Sequence, residues 1–384
     1  MPGLPPTLLA VNTGSSSLKY GCYPVRDGQV QPAFLTGIVE GLERDEAEFE
    51  AALLRLVAQL QTHPELQVRA IVHRVVHGGE RFRKAVMVDD AVLAALAHFN
   101  PLAPLHQPHN LAGIRRLRAL WPDIPQIACF DTAFHATLPE SESHFALPES
   151  FFHQGIRRYG FHGLSYRHVC DALQEASARA QGRCVLAHLG NGASLCAVRE
   201  GQSHASTMGF TALDGLMMGT RCGAIDPGVL LYLLRQGWTL GRLESLLYRQ
   251  SGLLGVSGLS ADLRVLRAST DPAAQRAIAL FTARVVREAG AMAALLGGVE
   301  LMAFTGGIGE HDARLRADVA ERLGHLGMRL DPARNEQARG QGVMAIHAAD
   351  SAVEVWVVPA DEGRSAAREA WQLLSSGLLG NPMA

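Results

Sequence analysis

The chain has 384 residues, 48% hydrophobic and 19% charged, which is enough apolar material for two domain cores rather than one. Lys and Arg total 35 against 37 Asp and Glu, and the formal net charge of −2 argues against nucleic acid or an anionic membrane surface as a partner. No apolar run reaches bilayer length, MPGLPPTLLAVN lacks the regions of a signal peptide, and the six cysteines, none in a C-x-x-C pair, read as reduced core thiols of a cytoplasmic protein.

The predicted elements begin with a strand over Leu8–Val11, the polar turn Asn12-Thr13-Gly14-Ser15-Ser16-Ser17, and a returning strand over Leu18–Tyr23. Asp27-Gly28 marks the next hairpin turn, so a small antiparallel meander opens the chain. Helical periodicity follows over Glu46–Leu60, then a buried strand over Ala70–Val76 that stops at His77-Gly78-Gly79. Helices are predicted over Asp90–Phe99 and Asn110–Leu120, and a strand over Gln126–Phe130 that stops at Asp131. The irregular stretch from Pro139 to Gly160 marks a domain boundary. Beyond it come a helix over Ser165–Ala180, a strand over Arg183–Leu189, the turn Gly190-Asn191-Gly192, a strand over Ser194–Arg199 and the turn Glu200-Gly201. This order repeats the opening of the chain and points to a duplication with two related domains. The glycine-studded loop Asp214–Pro227 precedes helices over Gly228–Gln236, Leu240–Arg249, Ser260–Ala268 and Pro272–Leu296. A strand over Leu301–Phe304 enters Thr305-Gly306-Gly307-Ile308-Gly309, with a helix from about Asp312; a strand over Val353–Val358 and a helix over Glu362–Leu374 close the chain. Strands alternating with helices give an α/β class.

Three glycine-rich turns, each at the end of a predicted strand, present successive backbone amides of the kind that cradle phosphate. One such cluster is an ordinary turn; three point to a nucleotide, although none has Walker or Rossmann spacing. Arg221 is the lone cation of the Asp214–Pro227 loop, tied to a carboxylate such as Asp226 or waiting for an anionic ligand. Arg74, inside an apolar strand, has the same two readings: a partner for a core carboxylate, or a bidentate donor to an anion. Phosphoryl transfer needs such donors, because its transition state spreads charge over the equatorial oxygens. Asp131 sits where an apolar strand ends, the position from which carboxylates of α/β folds face a ligand. His162, between an aromatic and a glycine, suits a cap or core position as well as a site. His73 and His77, four apart in a strand, do not make the helical pair a metal would use. Glu362 is either a carboxylate at a helix N-terminus or a magnesium ligand.

Taken in order, VNTGSSSLKY, HRVVHGGERF, APLHQPHN, CFDTAFHATLP, RRYGFHGLS, HLGNGASL, STMGFTALDGLMMGTRCGAIDP, FTGGIGE and VPADE resemble the motifs of the acetate kinase (acetokinase) family over nearly the whole chain. The resemblance implies an α/β fold of two duplicated actin-like (ribonuclease H-like) domains with a nucleotide cleft between them. Residues 1–147 with the C-terminal helix 363–384 would form the first domain, and 148–362 the second, which binds nucleotide and dimerises. It implies reversible, Mg²⁺-dependent, direct in-line transfer of the ATP γ-phosphoryl group to acetate, giving acetyl phosphate and ADP, with Mn²⁺ as a substitute metal. The implied state is a cytoplasmic homodimer with no nucleic-acid or membrane partner.

Position by position, the resemblance makes Arg74, Asp131, His162 and Arg221 catalytic, with Arg74 also holding the substrate carboxylate. Val76, Leu105, Phe161 and Pro227 would form the acyl pocket. ATP would be bound by Ser15, Ser17, Lys19, His188, Leu189, Gly190, Asn191, Gly192, Asp262, Leu263, Arg264, Gly307, Ile308, Gly309, Glu310 and His311, and the metal by Asn12 and Glu362. The sequence departs from the family pattern at His311, usually Asn, at Ala205 and Ala224, usually acidic, and at Gly363, where a second glutamate follows Glu362. Valine at position 76 leans to acetate. The rival readings are propionate kinase or another short-chain acyl kinase, and a non-catalytic nucleotide-binding member of the superfamily. The last predicts loss of Arg74, Asp131, His162 or Arg221, and all four are present.

Overall fold

Two sheets organise the chain, and both are built in the same way. The computed structural model describes residues 5–14, 17–40, 46–63, 66–104 and 106–378. In the first sheet β1 (Pro6–Thr13), β2 (Ser17–Arg26), β3 (Gln29–Val30) and β4 (Leu35–Glu40) make the antiparallel opening, with β3 and β4 both pairing with β2. β5 (Gln67–Val75) runs parallel to β1. At the far edge β6 (Val86–Met87) lies antiparallel to β7 (Gln126–Phe130), which runs parallel to β5. The second sheet opens with the antiparallel β8 (Cys184–Leu189), β9 (Ala193–Arg199) and β10 (Gln202–Ser206). β11 (Leu301–Thr305) is parallel to β8, and β12 (Met344–Ala345) is antiparallel to β13 (Glu354–Val357), itself parallel to β11. The orders β3-β2-β1-β5-β7-β6 and β10-β9-β8-β11-β13-β12 coincide in position and direction. A chance likeness of two turns would not reproduce the crossover order, so the duplication read from the hairpins holds at the level of topology.

The sheets belong to two units, one of Met1–Ala136, Gly163–His168 and Asp361–Ala384, the other of Thr137–His162 and Val169–Ala360. Local chemistry explains the shared opening. Asp27 and Gly28 have φ of 51° and 74°, Glu200 and Gly201 of 53° and 68°, the paired positive values of a type I′ turn, whose twist matches that of the strands it joins. In the first unit, neighbouring residues of one strand face opposite ways. Leu8 packs with Val72, Cys129 and the alanines Ala366, Ala367 and Ala370 of the C-terminal helix Glu362–Leu378. Leu9 packs with Ile71, with Leu53 and Leu56 of the helix Glu46–Gln61, and with Leu117 of the helix Gln107–Leu120. A sheet covered on both faces explains why β7 is buried at every residue and apolar from Ile127 to Phe130. In the second unit the long helix Pro272–Leu295 starts at Asp271, whose carboxylate accepts the Ala273 amide at 2.7 Å.

Two local expectations are corrected, and one helix was not expected. The glycine run after β11 is itself helical, Gly306–His311, before a second helix Ala313–Arg322. Gly306 enters it at φ 77°, and a Cβ there would come within 2.8 Å of the Leu189 carbonyl oxygen, so only glycine makes this close passage. The helix expected over Ser165–Ala180 runs Gly163–Ala176, and Ser177 restarts the chain as a 3₁₀ turn by capping Arg179. A short helix, Gly252–Ser257, arises where propensity marks nothing, because it too begins at a positive-φ glycine packed against backbone. The six cysteines are thiols and five are buried, and burial pushes Cys22, Cys184 and Cys196 up to about 12.

Candidate active site

In the first unit the chemistry gathers at the C-terminal ends of the parallel strands β1, β5 and β7, the usual ligand edge of an open α/β sheet. Asn12, half-buried, stands one position from the end of β1 and pairs with the exposed Lys19 of β2. Val11 is in register with His73, so Asn12 comes beside Arg74. Arg74 Nε donates to Asp131 Oδ1 at 3.0 Å and Nη2 to Oδ2 at 2.6 Å, a bidentate fork. Nε also lies 3.2 Å from Glu362 Oε2. Asp131 is 1% exposed, whereas Arg74 and Glu362 are 19% and 22% exposed, so Asp131 is the anchor and the other two open to a ligand. Burial opposes the guanidinium charge, but Asp131 and then Glu362 outweigh it and raise the Arg74 pKa above its usual value. Arg74 is thus paired to a core carboxylate, and its Nη1 has no hydrogen bond among the described residues.

Two amides from the helix Gln107–Leu120 hold this edge in place. Asn110 donates to the Thr13 carbonyl at 2.7 Å and accepts the Val76 amide at 3.1 Å, joining the ends of β1 and β5. Gln107 makes the equivalent pair with the amide and carbonyl of His77. Gly113 lets the helix approach, since a Cβ there would overlap the Thr13 hydroxyl. Gly163 donates to the Asp131 carbonyl at 3.0 Å and likewise has no room for a Cβ. Val76 is buried. Ser15 and Leu105 lie outside the described residues.

In the second unit His162 takes the left-handed conformation, φ 59° and ψ 24°, a strained choice for a residue with a Cβ. Its Nδ1 is 2.9 Å from Ser194 Oγ, and its ring stacks on His188 at 4.1 Å between centroids. A Cβ placed on Gly192 would lie 3.4 Å from His162 Nε2 and 3.8 Å from Arg221 Nη1, so two side-chain nitrogens flank the bare face of one glycine. Arg221 Nη1 donates to the Ala212 carbonyl at 3.0 Å, and the Arg221 carbonyl accepts the Met218 amide. Asp226, the alternative partner, places Oδ1 on the Gly228 amide at 2.8 Å and caps the helix Pro227–Arg235. The loop is held against the HLGNG turn by Gly219, whose amide donates to the Asn191 carbonyl and whose missing Cβ makes room for the Asn191 side chain.

The parallel pairing of β8 and β11 sets His188 opposite Thr305 and brings the two following turns together. A Cβ on Gly190 would lie 3.9 Å from His188 Nε2 and 4.0 Å from the Gly307 amide nitrogen. Not every amide of these turns faces outward as the glycine pattern suggested. Gly190 donates to the Gly192 carbonyl, and Gly14 to the Ser17 carbonyl at the start of β2, so both amides close their own turns. Leu189 and Gly309 are buried, Ile308 and Glu310 half-buried, and Asn191, Gly307 and His311 exposed. Asp262 caps the helix Leu263–Ala268; Leu263 is buried, and the exposed Arg264 folds back on Asp262 at 2.6 Å and, by that hydrogen bond, lowers the Asp262 pKa.

Of the other residues expected in the pocket, Phe161 is buried and Pro227 is exposed in the first turn of the helix Pro227–Arg235. The local signal at Pro227 is helix initiation. Of the departures from the family pattern, Ala205 is buried opposite Ala197, where a carboxylate would lose its water; nothing in the structure explains Ala224. Sequence reasoning missed Ser194, Asn110 and Ala212. Ser194 and Asn110 carry no local signal, because each acts on a residue more than 30 positions away, and Ala212 acts through its backbone carbonyl, which no side chain marks.

The family model of the Acetokinase family matches residues 7–368. The acetate kinase of Rhodopseudomonas palustris is 47% identical over 395 residues, covering 96% of this chain and 99% of its own length. The propionate kinase of Edwardsiella piscicida is 41% identical, with 96% of each chain covered. The crystal structure of Porphyromonas gingivalis acetate kinase superposes with a TM-score of 0.84 at 35% identity, covering 96% of this chain and 99% of that one, and the two sheets are accordingly those of a two-domain actin-like fold. The chain therefore belongs to the acetokinase family, a phosphotransferase that uses ATP and has a carboxyl group as acceptor.

Proposed function

We propose that the chain transfers the γ-phosphoryl group of ATP to acetate in line and reversibly, and that the residues gathered above carry the reaction. The observation that supports this most is the fork of Arg74 on the buried Asp131, with Glu362 beside it and one guanidinium nitrogen left over. Acetate is already ionised at neutral pH and needs no base, so the protein's task is positioning and charge neutralisation. Arg74 fixes the acceptor carboxylate, oriented by Asp131. Arg221 and His162, whose nitrogens flank Gly192, offset the charge of the transferring group. The HLGNG and GGIGEH turns, Lys19, Ser17 and the Asp262–Arg264 cap serve the nucleotide. Asn12 and Glu362 offer oxygen donors, the kind Mg²⁺ takes, and Mn²⁺ accepts the same set. Among the described residues no group of three or more His, Cys, Asp or Glu is placed to hold a metal, which suits an ion kept by one or two protein oxygens and the phosphates. When bound, such a cation neutralises charge on the phosphate oxygens.

Val76 and Phe161 serve the acyl group, and the valine supports acetate over the propionate of the Edwardsiella relative. A homodimer is supported by the helix Pro227–Arg235, on which Leu231, Tyr232 and Leu234 are 55%, 60% and 48% exposed. No helix among the described residues is long and apolar enough to cross a membrane, and a cytoplasmic site is proposed with the thiols. The test is acyl phosphate trapped as hydroxamate from ATP, Mg²⁺ and either acid, with kcat/KM compared. Higher kcat/KM for propionate would reverse the substrate assignment, and no product from either would remove the activity. Arg221→Ala is expected to lower kcat by about 10³-fold or more while KM for ATP changes little, since such an arginine acts in the transition state. A near-normal kcat would remove Arg221 from that role.

A further inference from the structure

Glu362 opens the C-terminal helix, and its place depends on a residue from the other end of the sequence. Tyr23 on β2 is 4% exposed and donates its phenol hydrogen to Asp361 Oδ1 at 2.8 Å. The same oxygen accepts the Arg364 amide at 2.9 Å, and the Asp361 carbonyl accepts the Ser365 amide, so Asp361 caps the helix that Glu362 begins. Burial first, and the Asp361 charge second, raise the Tyr23 pKa, which keeps the proton on the phenol. At Gly363 there is no side chain, and a Cβ there would overlap the phenol oxygen and lie 3.0 and 3.1 Å from two ring carbons. The family's second glutamate is replaced at this position, and in this chain the tyrosine ring enters the space. Further along, Arg364 Nη2 reaches the Val30 carbonyl and Trp371 Nε1 the Gly28 carbonyl, so these two bonds and that of Tyr23, all among the described residues, tie the helix to the opening meander.

We infer that Tyr23 is a positioning residue for the reaction: through Asp361 it fixes the first turn of the C-terminal helix and so keeps Glu362 against Arg74. The inference rests on the reading of Arg74, Asp131 and Glu362 as site residues. Glu362 Oε2 stands 3.2 Å from Arg74 Nε, and a glutamate side chain has many rotamers, so the position of its backbone decides whether the pair forms. A shift of about 1 Å in a positioned group can cost as much as 10²-fold in rate. Of the three ties only the one at Tyr23 reaches the cap residue beside Glu362.

The test uses the full chain. Tyr23→Phe removes one oxygen and is expected to lower kcat about tenfold with KM for ATP within about twofold, as loss of an outer partner of a site group does. A readout without turnover, Mn²⁺ binding in the presence of ADP followed by electron paramagnetic resonance, should weaken by about the same factor. Trp371→Phe breaks another tie of the same helix and is expected to lower Tm while leaving kcat and Mn²⁺ binding unchanged. If Tyr23→Phe does no more than Trp371→Phe, or if both lower kcat alike, the inference is overturned. Gly363→Ala presses on the same phenol from the helix side and should show the Tyr23→Phe signature, also where Tyr23→Phe itself fails to fold; unchanged kcat and Mn²⁺ binding in Gly363→Ala count against the role. Glu362→Gln separates the two levels. A severe Glu362→Gln beside a silent Tyr23→Phe removes only the tyrosine, whereas a silent Glu362→Gln removes the site reading and the tyrosine with it.

Discussion

Arg316 has no exposed surface and uses all five of its N–H groups inward. Nε donates to Asn335 Oδ1, Nη1 to the carbonyls of Gly309 and Glu310, and Nη2 to those of Asn335 and Ala338. Burial draws its pKa down to about 10, still far above neutral, so the cation persists and the last turn of the Gly306–His311 helix is held by charge-assisted bonds. Arg316→Met would leave several of these carbonyls dehydrated and unpartnered, at about 3–5 kcal/mol. The expected result in urea unfolding is a loss of that size, with a raised KM for ATP because the nucleotide turn loosens. Arg316→Lys, a point charge with three donors, should recover only part. A change within about 0.5 kcal/mol, ordinary for a surface site, would show that the bonds do not hold the turn. The fork of Arg74 on Asp131 belongs to the same scale, and there too a buried partner decides what an arginine can do.

At the scale of elements, β5 shows how one strand serves core and site together. Arg74 points to the carboxylates, while His73 on the same strand and His77 just beyond it are buried. His73 Nε2 meets Gln126 Oε1 at 2.7 Å, and His77 Nδ1 accepts the Gly79 amide at 2.9 Å. Burial lowers both pKa values to about 4. Their folded values lie below the unfolded value near 6.5, so as pH falls the unfolded chain takes up protons first. Stability is then lost from about pH 6.5 downward and the loss levels off below about 4. Between pH 7 and 5.5 each histidine should cost about 1 kcal/mol, read as a falling urea midpoint. His73→Gln should flatten that slope by about half. An unchanged slope would mean that His73 does not stay neutral in the folded chain.

On the scale of the whole molecule, the matching strand orders show one architecture used twice and loaded differently. The first copy carries the carboxylates, Arg74 and one glycine turn, and the second carries His162, Arg221 and the other two. The second copy also carries surface that a monomer would leave wet: Leu231, Tyr232 and Leu234 on one helix, and Leu240, 71% exposed, at the start of the next. Apolar area of this kind on consecutive helices supports the homodimer proposed above. Leu231→Glu combined with Tyr232→Glu is expected to turn a dimer into a monomer in sedimentation or light scattering, with each chain still folded. A dimer that survives both charges would place the interface elsewhere.

Much of the fold was legible in the sequence because its signals are local. Asp27-Gly28 and Glu200-Gly201 dictate I′ turns, apolar runs mark strands buried on both faces, and Asp or Ser before an apolar stretch starts helices. The residues proposed for the site could be picked out as candidates because they stand in short motifs. What the sequence by itself determined was therefore the class, the repeated hairpin and the candidates for the site. Only the tertiary structure decided their partners. Ser194 reaches His162 across 32 positions and Tyr23 reaches Asp361 across 338, and no local spacing encodes such a pair. It also decided which groups meet water, leaving Pro227 exposed and turning the amides of Gly14 and Gly190 inward. Exposure and hydrogen-bond direction depend on what packs against a residue, and that is settled only when the chain closes on itself.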